Sequence, residues 1–132
     1  MKVKLKVKVQ IQTKLYLATV LYQKYLNIYN NFRQLQLMSD AQYRILYRKK
    51  WEYYGGKADP QIYRDNPFDH KILKQDLPIY LESDEELIKA KQKVEYNSMC
   101  MDSCERILKQ IQQRGRDIKN AIEWRKFVDA AI

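Results

Sequence analysis

All three prolines of this 132-residue chain, and two of its three glycines, fall between Gly55 and Pro78. Residues 1–54 and 79–132 hold one breaker between them, Gly115. Proline lacks the amide hydrogen, and glycine the backbone stiffness, that regular structure needs. A chain that confines both to one window builds long elements outside it. With 31% charged residues and so few turn formers, those elements read as helices rather than the many short strands of a sandwich. The expected fold is all-α, with long helices joined by a Pro-containing connector, a short N-terminal β-strand as one option, and the C-terminal helix in an oligomeric bundle or coiled coil. In one structural domain, residues 1–56 form a basic strand or helical section, 57–82 the connector and 83–132 an oligomerisation helix.

The apolar periodicity carries this reading. Leu15, Ala18, Tyr22, Tyr25, Tyr29 and Phe32 step by three and four, which marks an amphipathic helix to about Met38. Ser39 with Gln42 offers a fresh helix start, and the same residues equally allow one helix to run on. The piece from Ala41 to Tyr54 carries Tyr43, Tyr47, Trp51 and Tyr54 as a stripe expected in the core, and Gly55-Gly56 ends it. Residues 57–80 show no helical stripe and read as turns and short extended pieces, tied down by Tyr63, Phe68 and Leu73. Ser83 then caps a last helix with Glu86 at its third position. Its face runs Leu87, Ala90, Val94, Asn97, Met101, Cys104, Leu108 and Ile111, then Ile118 and Ile122. Asn97 on that face reads as a polar residue that sets register. Such a face spans on the order of 65 Å at about 1.5 Å per residue, more than one small chain covers. Val94, Met101, Cys104, Leu108, Ile111, Ile118 and Ile122 are therefore candidate self-association residues. The opening KVKLKVKVQIQ alternates with period two, as a half-buried strand does. No second segment pairs with it, so it is a strand joined to another subunit or a disordered basic tail.

Charge is unevenly placed. Residues 1–57 hold twelve Lys/Arg against Asp40 and Glu52, a balance of +10, and the rest of the chain holds thirteen against fourteen acids. An anionic partner for the first part follows, either nucleic acid or a membrane surface. Binding a single strand without sequence preference takes cations along the phosphates and flat rings against the bases. Arg44, Arg48, Lys49, Lys50 and Lys57 supply the first; Trp51, Tyr53 and Tyr54 are candidates for the second, with Tyr53, off the aromatic stripe, the better one. Gly55 and Gly56 allow close approach of backbone to phosphate.

Other chemistry finds little support. Cys100 and Cys104 sit four apart on one helix face, awkward for a mutual disulfide, and read as reduced thiols in a cytoplasmic compartment. The single histidine, His70, lies in another segment, so no metal site is expected. No nucleophile–base pair and no phosphate-binding glycine loop is placed by the sequence, and neither an enzyme nor a cofactor is expected. No stretch approaches a transmembrane span.

WEYYGGKADP and the block from Leu81-Glu82-Ser83-Asp84 through Gln113-Arg114-Gly115 and Ile118-Lys119-Asn120-Ala121-Ile122 to Phe127 resemble the UvsY family of phage recombination mediators, as does KYLNIYNNF. The resemblance covers roughly residues 22–129; the family's acidic opening is replaced here by KVKLKVKVQIQ. It implies a non-enzymatic hexameric or heptameric ring in the cytoplasm of an infected bacterial host. Such a ring binds single-stranded DNA and helps load a RecA-like recombinase onto strands covered by single-strand binding protein. It also implies DNA contacts from a Lys/Arg-x-Lys/Arg pattern, here Arg48 and Lys50. Two other readings stand beside it: a helical scaffold whose basic face is merely solvated, and a membrane-surface module built on KVKLKVKV.

Overall fold

The structure is a computed structural model that describes residues 2–131; Met1 and Ile132, at the edges of the expected sections, lie outside the described residues. Two long helices, α1 (Lys2–Tyr54) and α4 (Glu85–Ala131), are joined by two short ones, α2 (Pro60–Asp65) and α3 (Leu77–Glu82), with a single 3₁₀ turn at Lys74–Asp76. Stretches of α1 and α4 pair in two compact units. The first unit holds the residues up to Phe32 and those from Cys100 on; the second is Arg33–Met99.

In the first unit the two helices run antiparallel, since Gln112 donates to the Tyr22 hydroxyl at 3.3 Å and Val7 and Ile11 line the same groove as Ile122. The inward row of α1 is Val7, Ile11, Leu15, Ala18, Tyr22, Tyr25 and Tyr29, all half-buried. Facing it on α4 are Cys104 and Leu108, 6% and 8% exposed, and the half-buried Ile111, Ile118 and Ile122. The expected stripes are thus the observed ones, but the α4 row faces α1 of the same chain. Burial raises the Cys104 thiol pKa, with Cys100 adding to it, so the thiol stays protonated.

Residues 2–12 are helical, not a strand or a tail, and no strand occurs among the described residues. A lone strand would leave its amides unpaired, whereas a helix satisfies them internally. The helical turn breaks up the period-two pattern. Val7 and Ile11, one turn apart, come to the seam, while Val3, Leu5 and Val9 stand exposed. Packing against α4 has overridden the β-propensity of the valines.

The second unit is keyed by a polar pair. Ser39 does not start a helix; α1 passes through it unbroken. Its side chain is buried, donates to the Gln36 carbonyl at 3.0 Å and accepts from the Asn97 amide at 3.2 Å. A one-residue slip would leave both groups buried without partners, so the pair fixes register.

The connector is more helical than its composition suggested. Pro60 and Pro78 stand in the first turns of α2 and α3, where the missing amide costs nothing. Tyr63 and Phe68 join an aromatic cluster with Tyr53, Tyr54 and Tyr80, but Leu73 is exposed and holds nothing down. Ser83 belongs to the end of α3, donating to the Ile79 carbonyl at 2.8 Å. The cap of α4 is Asp84, whose Oδ1 accepts from the Leu87 amide at 3.0 Å.

Two glycines make opposite predictions. Gly115 lies inside α4 with open space where a Cβ would stand, so Gly115→Ala is expected to raise stability by about 0.5–1 kcal/mol. Gly56 has φ +75°, so Gly56→Ala is expected to lower it by about 1–2 kcal/mol. Urea unfolding midpoints at equal m-value decide both signs.

Candidate nucleic-acid interface

The C-terminal stretch of α1 carries most of the candidate residues, and its ending sets their positions. Lys57 donates its amide to the Glu52 carbonyl at 2.8 Å and Gly56 to the Tyr53 carbonyl at 3.3 Å, the paired bonds of a Schellman ending with Gly56 left-handed. The Tyr63 hydroxyl donates to the Tyr53 carbonyl at 2.7 Å and accepts from the Ala58 amide at 3.3 Å. The Glu52 and Tyr53 carbonyls at the end of α1 are thereby satisfied, and the chain is turned so that Lys57 folds back. Its ammonium lies 4.7 Å from the centre of the Trp51 ring.

Arg44, Arg48 and Trp51 follow at four and three residues, so they form one ridge of α1, and Lys57 completes it over the indole. Arg44 pairs with Asp40 at 3.0 Å and Arg48 with Glu52 at 3.1 Å, the two acids of residues 1–57. Both are exposed i,i+4 pairs, worth roughly 0.3–0.5 kcal/mol, so little free energy holds each arginine to its acid. Lys49 is exposed and has no carboxylate within ion-pair distance among the described residues.

Lys50 and Tyr53 are placed differently from their neighbours. The Lys50 side chain is 21% exposed and lies 3.3 Å from Asp84, itself 5% exposed, and 3.4 Å from Glu86. Tyr53 is half-buried, stacked on Tyr63 at 5.5 Å and packed against Phe68, and its hydroxyl donates to the Asn66 carbonyl at 3.0 Å. Trp51, read from its spacing as core, is the more exposed ring at 39%. The reason is the face that α1 turns to α4 in this unit. Ser39, Tyr43, Leu46, Lys50 and Tyr54 define it, and Trp51 stands about 100° away from Lys50 on the helix.

Asp84 is the residue that sequence reasoning passed over. Besides capping α4, it accepts from the Tyr54 hydroxyl at 2.6 Å and pairs with Lys50. Burial alone would raise its pKa, but the Tyr54 hydroxyl, the Leu87 amide and the Lys50 ammonium outweigh burial and hold the carboxyl below the usual value. The Tyr54 phenol moves the other way, pushed up by its own burial and by the hydrogen bond to Asp84. The signal was the Ser83-Asp84 pair ahead of two glutamates, read as a cap one residue early.

The candidate association residues do not gather at a surface of one chain. Cys104 and Leu108 are buried, and Val94, Met101, Ile111, Ile118 and Ile122 are half-buried along the inward row of α4. Among the described residues no three His, Cys, Asp or Glu side chains come together, and no helix is long and apolar enough to cross a membrane.

A helical pairing that presents weakly held arginines, an unpaired lysine and a lysine-covered indole has the side-chain types that a flexible polyanion requires of a binding surface. The chain belongs to the family of recombination, repair and ssDNA binding proteins UvsY, whose model matches residues 6–130. It is 25% identical over 108 residues to the recombination protein uvsY of Enterobacteria phage T4, covering 82% of this chain and 76% of that one. It shares its fold with the bacteriophage T4 recombination mediator protein UvsY. One crystal form matches at a TM-score of 0.78 and 23% identity over 91% of this chain and 87% of that one. A second matches at 0.80 and 24% over 92% and 85%.

Replacing Asp84 by Ala is expected to cost about 2–3 kcal/mol, through the lost cap and the stranded Lys50 and Tyr54 partners. The pH dependence has a definite sign. Folding lowers the carboxyl pKa, so its contribution is complete above the unfolded value of about 3.9 and is lost as pH falls through the folded value. Denaturation of the wild type and of Asp84→Asn between pH 7 and pH 2 checks this: the gap between them should close in acid.

Proposed function

We propose that this chain is a recombination mediator. It binds single-stranded DNA as a homo-oligomeric ring of six or seven subunits and promotes loading of a RecA-like phage recombinase onto DNA covered by single-strand binding protein. The reading is non-enzymatic and places the protein in the cytoplasm of the infected host. The observation that carries it is the ridge Arg44–Arg48–Trp51–Lys57 with Lys49 on its flank, in a chain of the UvsY family. Phosphates exchange with Asp40 and Glu52 for the arginines, and a base stacks where Lys57 now covers Trp51. In this reading Lys50 and Tyr53 hold the ridge in place rather than touch DNA, because their polar ends are already committed within the second unit.

Self-association draws on apolar side chains that one chain leaves in water. These include Leu5, Val9 and Tyr16 on α1 and the stacked pair Trp124–Phe127 on α4, 66% and 64% exposed. The row Val94, Met101, Cys104, Leu108, Ile111, Ile118 and Ile122 supports the assembly by holding α4 against α1.

The double variant Arg48→Ala/Lys49→Ala is expected to bind oligo-dT more weakly, with the salt slope of log K reduced by about 1.4, while helicity and oligomer mass stay unchanged. Wild-type binding across the whole titration would remove the ridge from the mechanism. Native mass spectrometry tests the ring: Leu108→Asp should lower both helicity and mass, whereas Trp124→Ser/Phe127→Ser should lower mass alone.

A further inference from the structure

The distribution of charge in the folded chain differs from its distribution along the sequence. The first unit holds thirteen Lys/Arg against five acids, a balance of +8, while the second holds twelve against eleven. Nearly the whole excess of the protein therefore belongs to the unit built from the two chain ends, not to the one that bears the ridge.

Within that unit the cations line a groove. Two cavities, of about 550 and 190 Å³, open along the seam between α1 and α4. On α1 their walls include Lys4, Lys8, Ile11, Leu15, Ala18 and Tyr22, successive steps of three and four, so both lie along one face of the helix. On α4 the row Lys126, Ile122, Lys119 and Arg116 repeats the pattern, with Arg125 beside it. Six cations thus border the two cavities, all exposed, against a single acid, Asp129. None of the six has a carboxylate within ion-pair distance among the described residues.

We propose that this seam groove is a second contact for single-stranded nucleic acid, made of different residues from the ridge. It rests on the reading of the chain as a single-strand binder. A phosphate backbone follows Lys4, Lys8, Lys126, Lys119 and Arg116, and the apolar floor of Val7, Ile11 and Ile122 meets the sugars. Charge selects the occupant. Residues 1–32 contain no acid, so the α1 of a second copy would be repelled. A lipid surface takes a projecting apolar stripe rather than a concave floor walled by cations. A flexible single strand fits a positive groove that tracks its backbone.

The test is anisotropy with dT30 across a KCl titration, using wild type, Lys4→Gln/Lys8→Gln/Lys126→Gln and the Lys→Arg counterpart. At about 0.7 per phosphate contact, the Gln variant should lose about 2 from the salt slope and at least ten-fold in affinity at low salt, with the Arg variant near wild type. Lysine acetylation of the unaltered protein, with and without dT30, gives a reading independent of any variant: Lys4, Lys8, Lys119 and Lys126 should be protected. If the Gln variant keeps slope and affinity and these lysines stay reactive, the groove is not a site, while the ridge stands or falls by Arg48→Ala/Lys49→Ala. If wild type fails to bind dT30 at all, the mediator reading fails with it. If the Gln variant loses only binding to phosphatidylglycerol vesicles, the groove serves lipid and the proposal is overturned.

Discussion

The narrow row of side chains between α1 and α4 is the interaction on which everything else depends. Among the described residues no large side chain is fully buried, and the buried apolar residues are Leu81, Leu87, Cys104 and Leu108. Two helices in contact along one stripe cannot bury more, because most of each helix surface faces away from the seam. The pairing is therefore specified less by area than by a few polar contacts that tolerate no shift. Ser39 with Asn97 is one; Asp84 with Tyr54, Lys50 and the start of α4 is the other. Both lie in the second unit, so the ridge stands on the better-specified part of the molecule.

That arrangement also divides the lysines and arginines into two populations. Lys50 is committed to carboxylates that would be stranded without it, and replacing it tests the fold as much as any ligand contact. Arg44 and Arg48 sit in exposed pairs that exchange readily, and the seam cations of the first unit have no carboxylate partner at all among the described residues. Partnering, rather than position in the sequence, separates cations that build from cations available to bind.

Much of this was legible in the sequence. The inward rows of α1 and α4 read directly from steps of three and four, and the confinement of proline and glycine to one window marked the break between them. What the sequence hid has physical causes. Alternation in KVKLKVKVQIQ speaks for a strand only if nothing offers the segment a better surface, and α4 does. Pro60 and Pro78 look like breakers until their first-turn positions are known. The exchange of roles between Trp51 and Tyr53 turns on which way α1 is rolled, which Ser39 and Asn97 decide from well outside the aromatic stretch. The family resemblance reached the right relatives because it rested on order and spacing, which outlast changes such as the basic opening.

The two tryptophans are divided between the units, Trp51 in the second and Trp124 in the first. Each is partly exposed and each has a distinct neighbour, an ammonium for one and the Phe127 ring for the other. Their emission therefore carries two separable signals. The indole under Lys57 responds to whatever draws that cation away. The indole beside Phe127 responds to whatever covers the outer side of α4. The protein thus holds one native optical reporter in each unit.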